Sequence, residues 1–209
     1  ISDFENEFGE ITADEIAVQQ RLDREHATVV RGQRRSAERK AQSAWFFQFL
    51  KDPYVLRPMV LTKMPTFDLS DGEAQAIVRY FAAKSGEEFP FEFNVEKHRE
   101  YVSEKEKKDP DYMKKAQALF DQLACQSCHV KGKEVPKKPK SEWAPDLLMA
   151  KDRLRPEWLI DWLRNPKSMQ PGTKMPQFLW GTDELKKAFP GTAEEQIEAI
   201  KDYLMTQGS

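Results

Sequence analysis

The chain has 209 residues, 39% hydrophobic and 33% charged, with a net charge of -2. That length suits one large or two small domains with thin cores, and the balanced charge gives no preference for nucleic acid. Two cysteines exclude a disulfide framework, and no apolar run reaches the roughly 20 residues of a membrane span. The chain begins at Ile1 without a signal-peptide pattern. It reads as a mature or trimmed form, which says nothing against export.

Helical periodicity broken by Pro and Gly dominates, and strand signals are nearly absent. Residues 12–50 have few breakers, Gly32 being the main one, and carry Ile16, Val18, Leu22, Val29 and Val30. This stretch predicts a helix and then a second run through Trp45, Phe46, Phe49 and Leu50, stopped by Pro53. Arg31, Arg34, Arg35, Arg39 and Lys40 read as a helix surface, because acids intervene and stacking aromatics are missing. Ser70, followed three residues on by Glu73, predicts a capping box that opens a helix burying Ala74, Ile77, Val78 and Phe81. Residues 87–94 read as an extended apolar strap, and 95–110, almost wholly charged, as a linker or solvated helix. Met113, Ala116, Leu119, Phe120 and Leu123 then mark one helix face. A lysine-rich loop follows (Lys131, Lys133, Lys137, Lys138, Lys140), then a helix near 156–164, a Pro/Gly/Met loop, and a last helix near 193–205.

The chain repeats itself. Trp45, Phe49-Leu50, Asp52-Pro53, Lys63-Met64-Pro65 and Phe67 match Trp158, Trp162-Leu163, Asn165-Pro166, Lys174-Met175-Pro176 and Phe178. Trp to Pro spans eight residues in each copy, and each copy ends in a helix. The second copy has extra residues from Leu179 to Gly191 before that helix. A period near 112 residues indicates a duplicated domain.

Cys125-Gln126-Ser127-Cys128-His129 is a C-x-x-C-H pattern, the attachment signature of c-type haem. Two thiols three residues apart reach two vinyl groups on one porphyrin edge, and the adjacent His falls under the iron. Thioredoxin-like pairs and half zinc sites share C-x-x-C. Zinc would need further ligands, and the sequence offers no third Cys and only His26 and His98 besides His129. A redox pair would need a βαβ setting, and this neighbourhood is helical.

From 111 to 209 the chain resembles a class I cytochrome c. Met113 to Leu123 is similar to the family's first helix. Ala144-Pro145-Asp146-Leu147 resembles the element whose Pro carbonyl holds the proximal His, which makes Pro145 the candidate. Gly172-Thr173-Lys174-Met175-Pro176 resembles the Met loop, with Met169 as the rival ligand, and Tyr203 is expected near Phe120. The resemblance implies an all-α fold and a single covalent haem c on Cys125 and Cys128. His129 and Met175 would be axial ligands to iron, with Pro145 behind His129. It also implies attachment outside the bacterial cytoplasm, hence a periplasmic or otherwise exported protein.

The expected organisation is a degenerate, cytochrome c-like accessory unit over 1–94, a charged linker over 95–110, and a haem domain over 111–209. The first unit repeats the Met loop at Met64 but has no C-x-x-C-H. A relic that lost its haem ranks above a haem-bearing segment further upstream, and both rank above a haem held by His26 and Met64. The expected function is electron transfer between redox partner proteins, not catalysis. The rivals are a cytochrome subunit of a larger oxidoreductase, and a peroxidase or gas sensor with a displaceable Met175. Trp158 and Trp162 read as core, Trp162 also as a donor to a haem propionate. The lysine loop reads as solvated surface or a docking patch for an acidic partner.

Overall fold

The computed structural model describes residues 39–60 and 62–207. Among the described residues the fold is all-α, and no strand forms. The helix expected on Ile16 to Val30, and His26 with it, lie outside the described residues. Helix α1 (Ser43–Lys51) is described, and Asp52 and Pro53 end it. Helix α2 (Asp71–Ser85) opens on the expected capping box, Ser70 and Glu73 each accepting from the other's backbone. It ends at Gly86, whose φ of 68° is a conformation glycine adopts without strain. Leu50, Ala74 and Val78 form a small core, with Phe46, Phe47, Met64, Leu69, Ile77 and Phe89 packed on it.

The strap over 87–94 joins two cores. Phe89 packs on the first and Phe93 on the second. Residues 95–110, expected as a charged linker or solvated helix, form helix α3 (Val95–Lys108), which is docked on the second unit and not free in solvent. Its inner face is short of apolar residues and uses ionic contacts. His98 and Val102 are buried, and Lys105 Nζ donates to the wholly buried Asp202 at 2.8 Å. The Tyr112 hydroxyl and Lys201 Nζ donate to the same carboxylate. Composition cannot anticipate such a face, because the partner charge lies 97 residues away.

Helices α4 (Tyr112–Gln122), α6 (Pro156–Arg164) and α9 (Ala193–Thr206) enclose the larger core, with short helices α5 (Ala150–Arg153), α7 (Pro166–Met169) and α8 (Asp183–Lys186) between them. Leu119, Phe120, Ile197, Ile200 and Met205 are fully buried. The Phe120 and Tyr203 rings lie 5.0 Å apart, as the pattern predicts. The extra residues after Phe178 are structural: Leu185 and Phe189 enter the core, and Trp180 Nε1 donates to the Leu163 carbonyl.

The helix pairs α1–α2 and α6–α9 share local geometry. Trp45 stacks on Phe49 at 5.0 Å and 14°, and Trp158 on Trp162 at 5.2 Å and 15°. Thr192 and Glu195 repeat the capping box of Ser70 and Glu73. The two units are joined by backbone pairing. Ala41 bridges Leu154, the Gln42 amide donates to Arg153 O at 2.9 Å, and the Arg155 amide donates to Lys40 O at 2.9 Å. Buried Gln42 also donates its side chain to Leu154 O at 2.8 Å and accepts from the Phe93 amide at 3.1 Å.

Candidate functional site

Ala124, at a φ of 52°, turns the chain out of α4 into a tight turn over Cys125–Ser127. The amides of Cys128 and His129 both donate to Cys125 O, at 3.3 and 3.0 Å. This folds the two thiols and the imidazole into one turn. Both thiols are free and half-buried. Burial pushes the Cys125 thiol up to about 12, the reverse of the lowered thiol of a thioredoxin-like pair. Among the described residues no three His, Cys, Asp or Glu side chains gather in a way that could hold a metal ion. The pair therefore has no zinc-type companions there.

His129 donates Nδ1–H to the Pro145 carbonyl at 2.8 Å. Backbone pairing sets this contact: the Ala144 amide donates to Cys128 O at 2.7 Å, and the Leu147 amide to Val130 O at 2.9 Å. Asp146 Oδ1 locks the turn by accepting from the amides of Gly132 and Leu148. Burial lowers the His129 pKa, so the ring is held neutral. With Nδ1 committed as donor, Nε2 keeps the lone pair a metal ion requires.

Met175 is half-buried on the loop after α7, packed on the same core as Cys125 and Leu147. Its amide donates to Thr173 Oγ1 at 3.3 Å, and Trp162 donates Nε1–H to its sulfur at 2.8 Å. Trp162, read from the sequence as core and also as a donor to a haem propionate, here contacts the thioether. Met169 also packs on this core, while Met205 is fully buried within α9. Met64 packs on the smaller core. Within the lysine loop, Lys131 is engaged with the protein, donating to the Tyr203 hydroxyl at 2.9 Å. Lys138 lies 3.5 Å from Cys128 Sγ.

Sequence reasoning read Trp158 as core and Lys40 as helix surface, and passed over Arg153. Among the described residues Trp158, only 5% exposed, has no partner for its Nε1–H, and Arg153 Nε is likewise buried and unpartnered. Lys40 Nζ lies 4.3 Å from the centre of the Trp158 ring. The thiol pair, the oriented imidazole and the held thioether suit a covalently attached haem and its iron.

No curated protein and no solved structure matches the chain. The cytochrome c family model matches residues 113–208, the stretch that contains the thiol turn, His129, Pro145 and Met175. The second half of this all-α chain is therefore a cytochrome c domain, and the cofactor of that family is covalent haem c with its iron.

Proposed function

We propose that this chain is an exported one-haem electron-transfer protein of class I type. Cys125 and Cys128 form the thioether bonds, and His129 and Met175 are the axial ligands. The single observation that carries this reading is the 2.8 Å bond from His129 Nδ1–H to Pro145 O, which turns Nε2 into the available ligand. When bound, haem supplies a one-electron iron couple, whose potential a His/Met pair raises. Trp162 orients the Met175 sulfur and draws density from it, which further favours the electron-rich ferrous form. With His129 and Met175 both engaged as ligands, bound haem would have no vacancy for substrate, which favours electron transfer over the peroxidase and sensor readings.

The unit before the domain is read as a cytochrome c-like repeat without an attachment site, its Met64 now a core residue. It favours a second reading, a cytochrome subunit docked in a larger oxidoreductase. Tyr54, Phe67 and Tyr80 on that unit are 43, 60 and 59% exposed, more apolar surface than a free shuttle needs. Substituting Met175→Ala in the holoprotein tests the ligation. The thioether-to-ferric charge-transfer absorption should vanish while haem remains covalently bound, and an unchanged spectrum would contradict the assignment.

A further inference from the structure

Helix α3 is seated on α4 and α9 largely by charge, and Val102 is the only apolar side chain it buries. One group in the seat lacks a partner. His98 is 8% exposed, and among the described residues its Nε2 has no hydrogen bond. The nearest carboxylate oxygen, Asp202 Oδ1, is 3.8 Å away, too far for one. That carboxylate is already taken by the Lys105 and Lys201 ammoniums and the Tyr112 hydroxyl. The titratable and charged groups facing the seat are Tyr101 and Lys105 of α3, Tyr112 of α4, and Glu198, Lys201 and Asp202 of α9. Tyr101 donates to Glu198, which also lies 3.2 Å from Lys105.

Two ammoniums thus stand beside His98 before it takes up a proton. A third cation would have to be desolvated there and would face both of them. Burial lowers the His98 pKa by more than Asp202 raises it, and Lys201 and Lys105 add to the lowering.

The same imidazole touches the strap that joins the units. Its ring centre is 5.1 Å from that of Phe93, the strap residue that packs on the large core. The Phe93 amide donates to Gln42 Oε1 at 3.1 Å, and Gln42 in turn donates its side chain to Leu154 O and its amide to Arg153 O. Two residues back, the Phe91 amide donates to Ser43 Oγ at 3.1 Å, and the Ser43 amide to Phe91 O at 3.2 Å. Each contact from His98 to the joint between the units is therefore direct.

We propose that α3 and the strap form an acid-sensitive clamp: a proton taken up by His98 lifts α3 off α4 and α9, frees Phe93 and loosens the joint between the N-terminal unit and the haem domain. No covalent bond changes, and one proton is bound for each clamp opened. The closed clamp binds that proton less readily than a free imidazole does. It is therefore firm above about pH 6.5 and opens as pH falls below that value, until the ring is protonated in the closed form as well. Asp202, held below its ordinary value, stays ionised through this range and does not contribute to the step. The clamp gives the chain a way to vary with pH how its N-terminal unit is presented beside the haem domain. It rests on the packing of α3 and not on the ligation of the haem.

Hydrogen exchange of full-length holoprotein, read by mass spectrometry at about pH 7.5 and about pH 5.5 and corrected for intrinsic exchange, tests this. Opening of 95–108 and of 89–93 should rise together, by up to tenfold per pH unit below about 6.5, while α6 keeps its protection. His98→Gln should remove the pH response of both segments. Should His98→Gln loosen α3 at every pH, His98→Phe keeps a flat ring against Phe93 and should give the same loss of response. Equal protection of 95–108 at the two pH values overturns the clamp, as does a wild-type response in both variants. Opening of α3 with 89–93 still protected breaks the link to the joint and overturns it too. A uniform loss of protection that includes α6 also overturns it, by assigning the change to global unfolding.

Discussion

Helices α1 and α6 are each nine residues long, each carry a stacked aromatic pair at the same spacing, and each are followed by a methionine loop and a capped helix. Around α6 the aromatic pair serves a sulfur, the helix lays Trp158, Leu159 and Leu163 into a large core, and a thiol turn lies across from it. Around α1 the pair meets Tyr54, whose hydroxyl accepts from Trp45 Nε1, and the core is reduced to Leu50, Ala74 and Val78 with half-buried neighbours. The same local sequence pattern therefore builds the same local geometry in both places. What differs is the non-local partner: in the second unit helix α4 covers α9 and brings the C-x-x-C-H turn with it. The lesson is that matching local sequence builds matching helices, while the chemistry depends on what packs across from them.

The largest expected effect concerns the contact that makes α3 part of the second unit. Replacing Asp202 with Ala leaves Lys201 and Lys105 facing each other in a buried site, and the cost should be about 3–5 kcal/mol by denaturant unfolding. Burial works against the charged form of Asp202. The Lys201 ammonium and hydrogen bonds from Lys105, Lys201 and Tyr112 outweigh it and hold the carboxyl below its ordinary value of 3.8. The stability from Asp202 is thus fully present above about pH 4 and lost as pH falls through its lower folded value. His98, whose pKa burial lowers from 6.5, is protonated more readily in the unfolded chain. Stability therefore begins to fall just below pH 6.5, and His98→Gln should flatten that first step. A pH-independent melting temperature between these values would break the account of α3.

The next effect sharpens the difference between cores. Leu163→Ala opens a cavity in the large core and should cost about 2–5 kcal/mol, with a disturbed haem spectrum. Leu50→Ala, at the matching position, sits in a small cluster that collapses more readily. It should cost near the lower end of that range and leave the spectrum unchanged. Equal costs, or a spectral change in Leu50→Ala, would show that the two cores are not organised as described.

The smallest effect should be the same in both units. Ser70→Ala and Thr192→Ala each remove a capping box of matched geometry, and each should cost about 1 kcal/mol. A cap that costs far more in one unit would mean that its helix is held by little else.

Much of the candidate site was legible in the sequence, because its signals are local. Five consecutive residues carry the thiols and the imidazole, and the Pro145 and Met175 segments each hold their own turn chemistry. The extents of α6 and α9 followed from Pro156 and apolar spacing, while the Thr192–Glu195 box at the start of α9 was passed over. The rest was hidden because it depends on charges and backbone edges that meet only in three dimensions. A lysine- and glutamate-rich stretch gives no sign that His98 and Val102 are buried against Asp202. Lys40 looked like one more basic residue on a helix surface. Only the pairing of 40–42 with 153–155 brings it over Trp158, and Arg153 carried no pattern of its own.

The central claim is that one of two similar units carries the haem. Intact mass of the native protein, taken together with iron content per chain, tests it most directly. The account predicts the mass of the chain plus one covalent haem and one iron, with the added mass lost when Cys125 and Cys128 are both replaced by Ala. Two irons per chain, or haem that dissociates from the unmodified protein on denaturation, would contradict it.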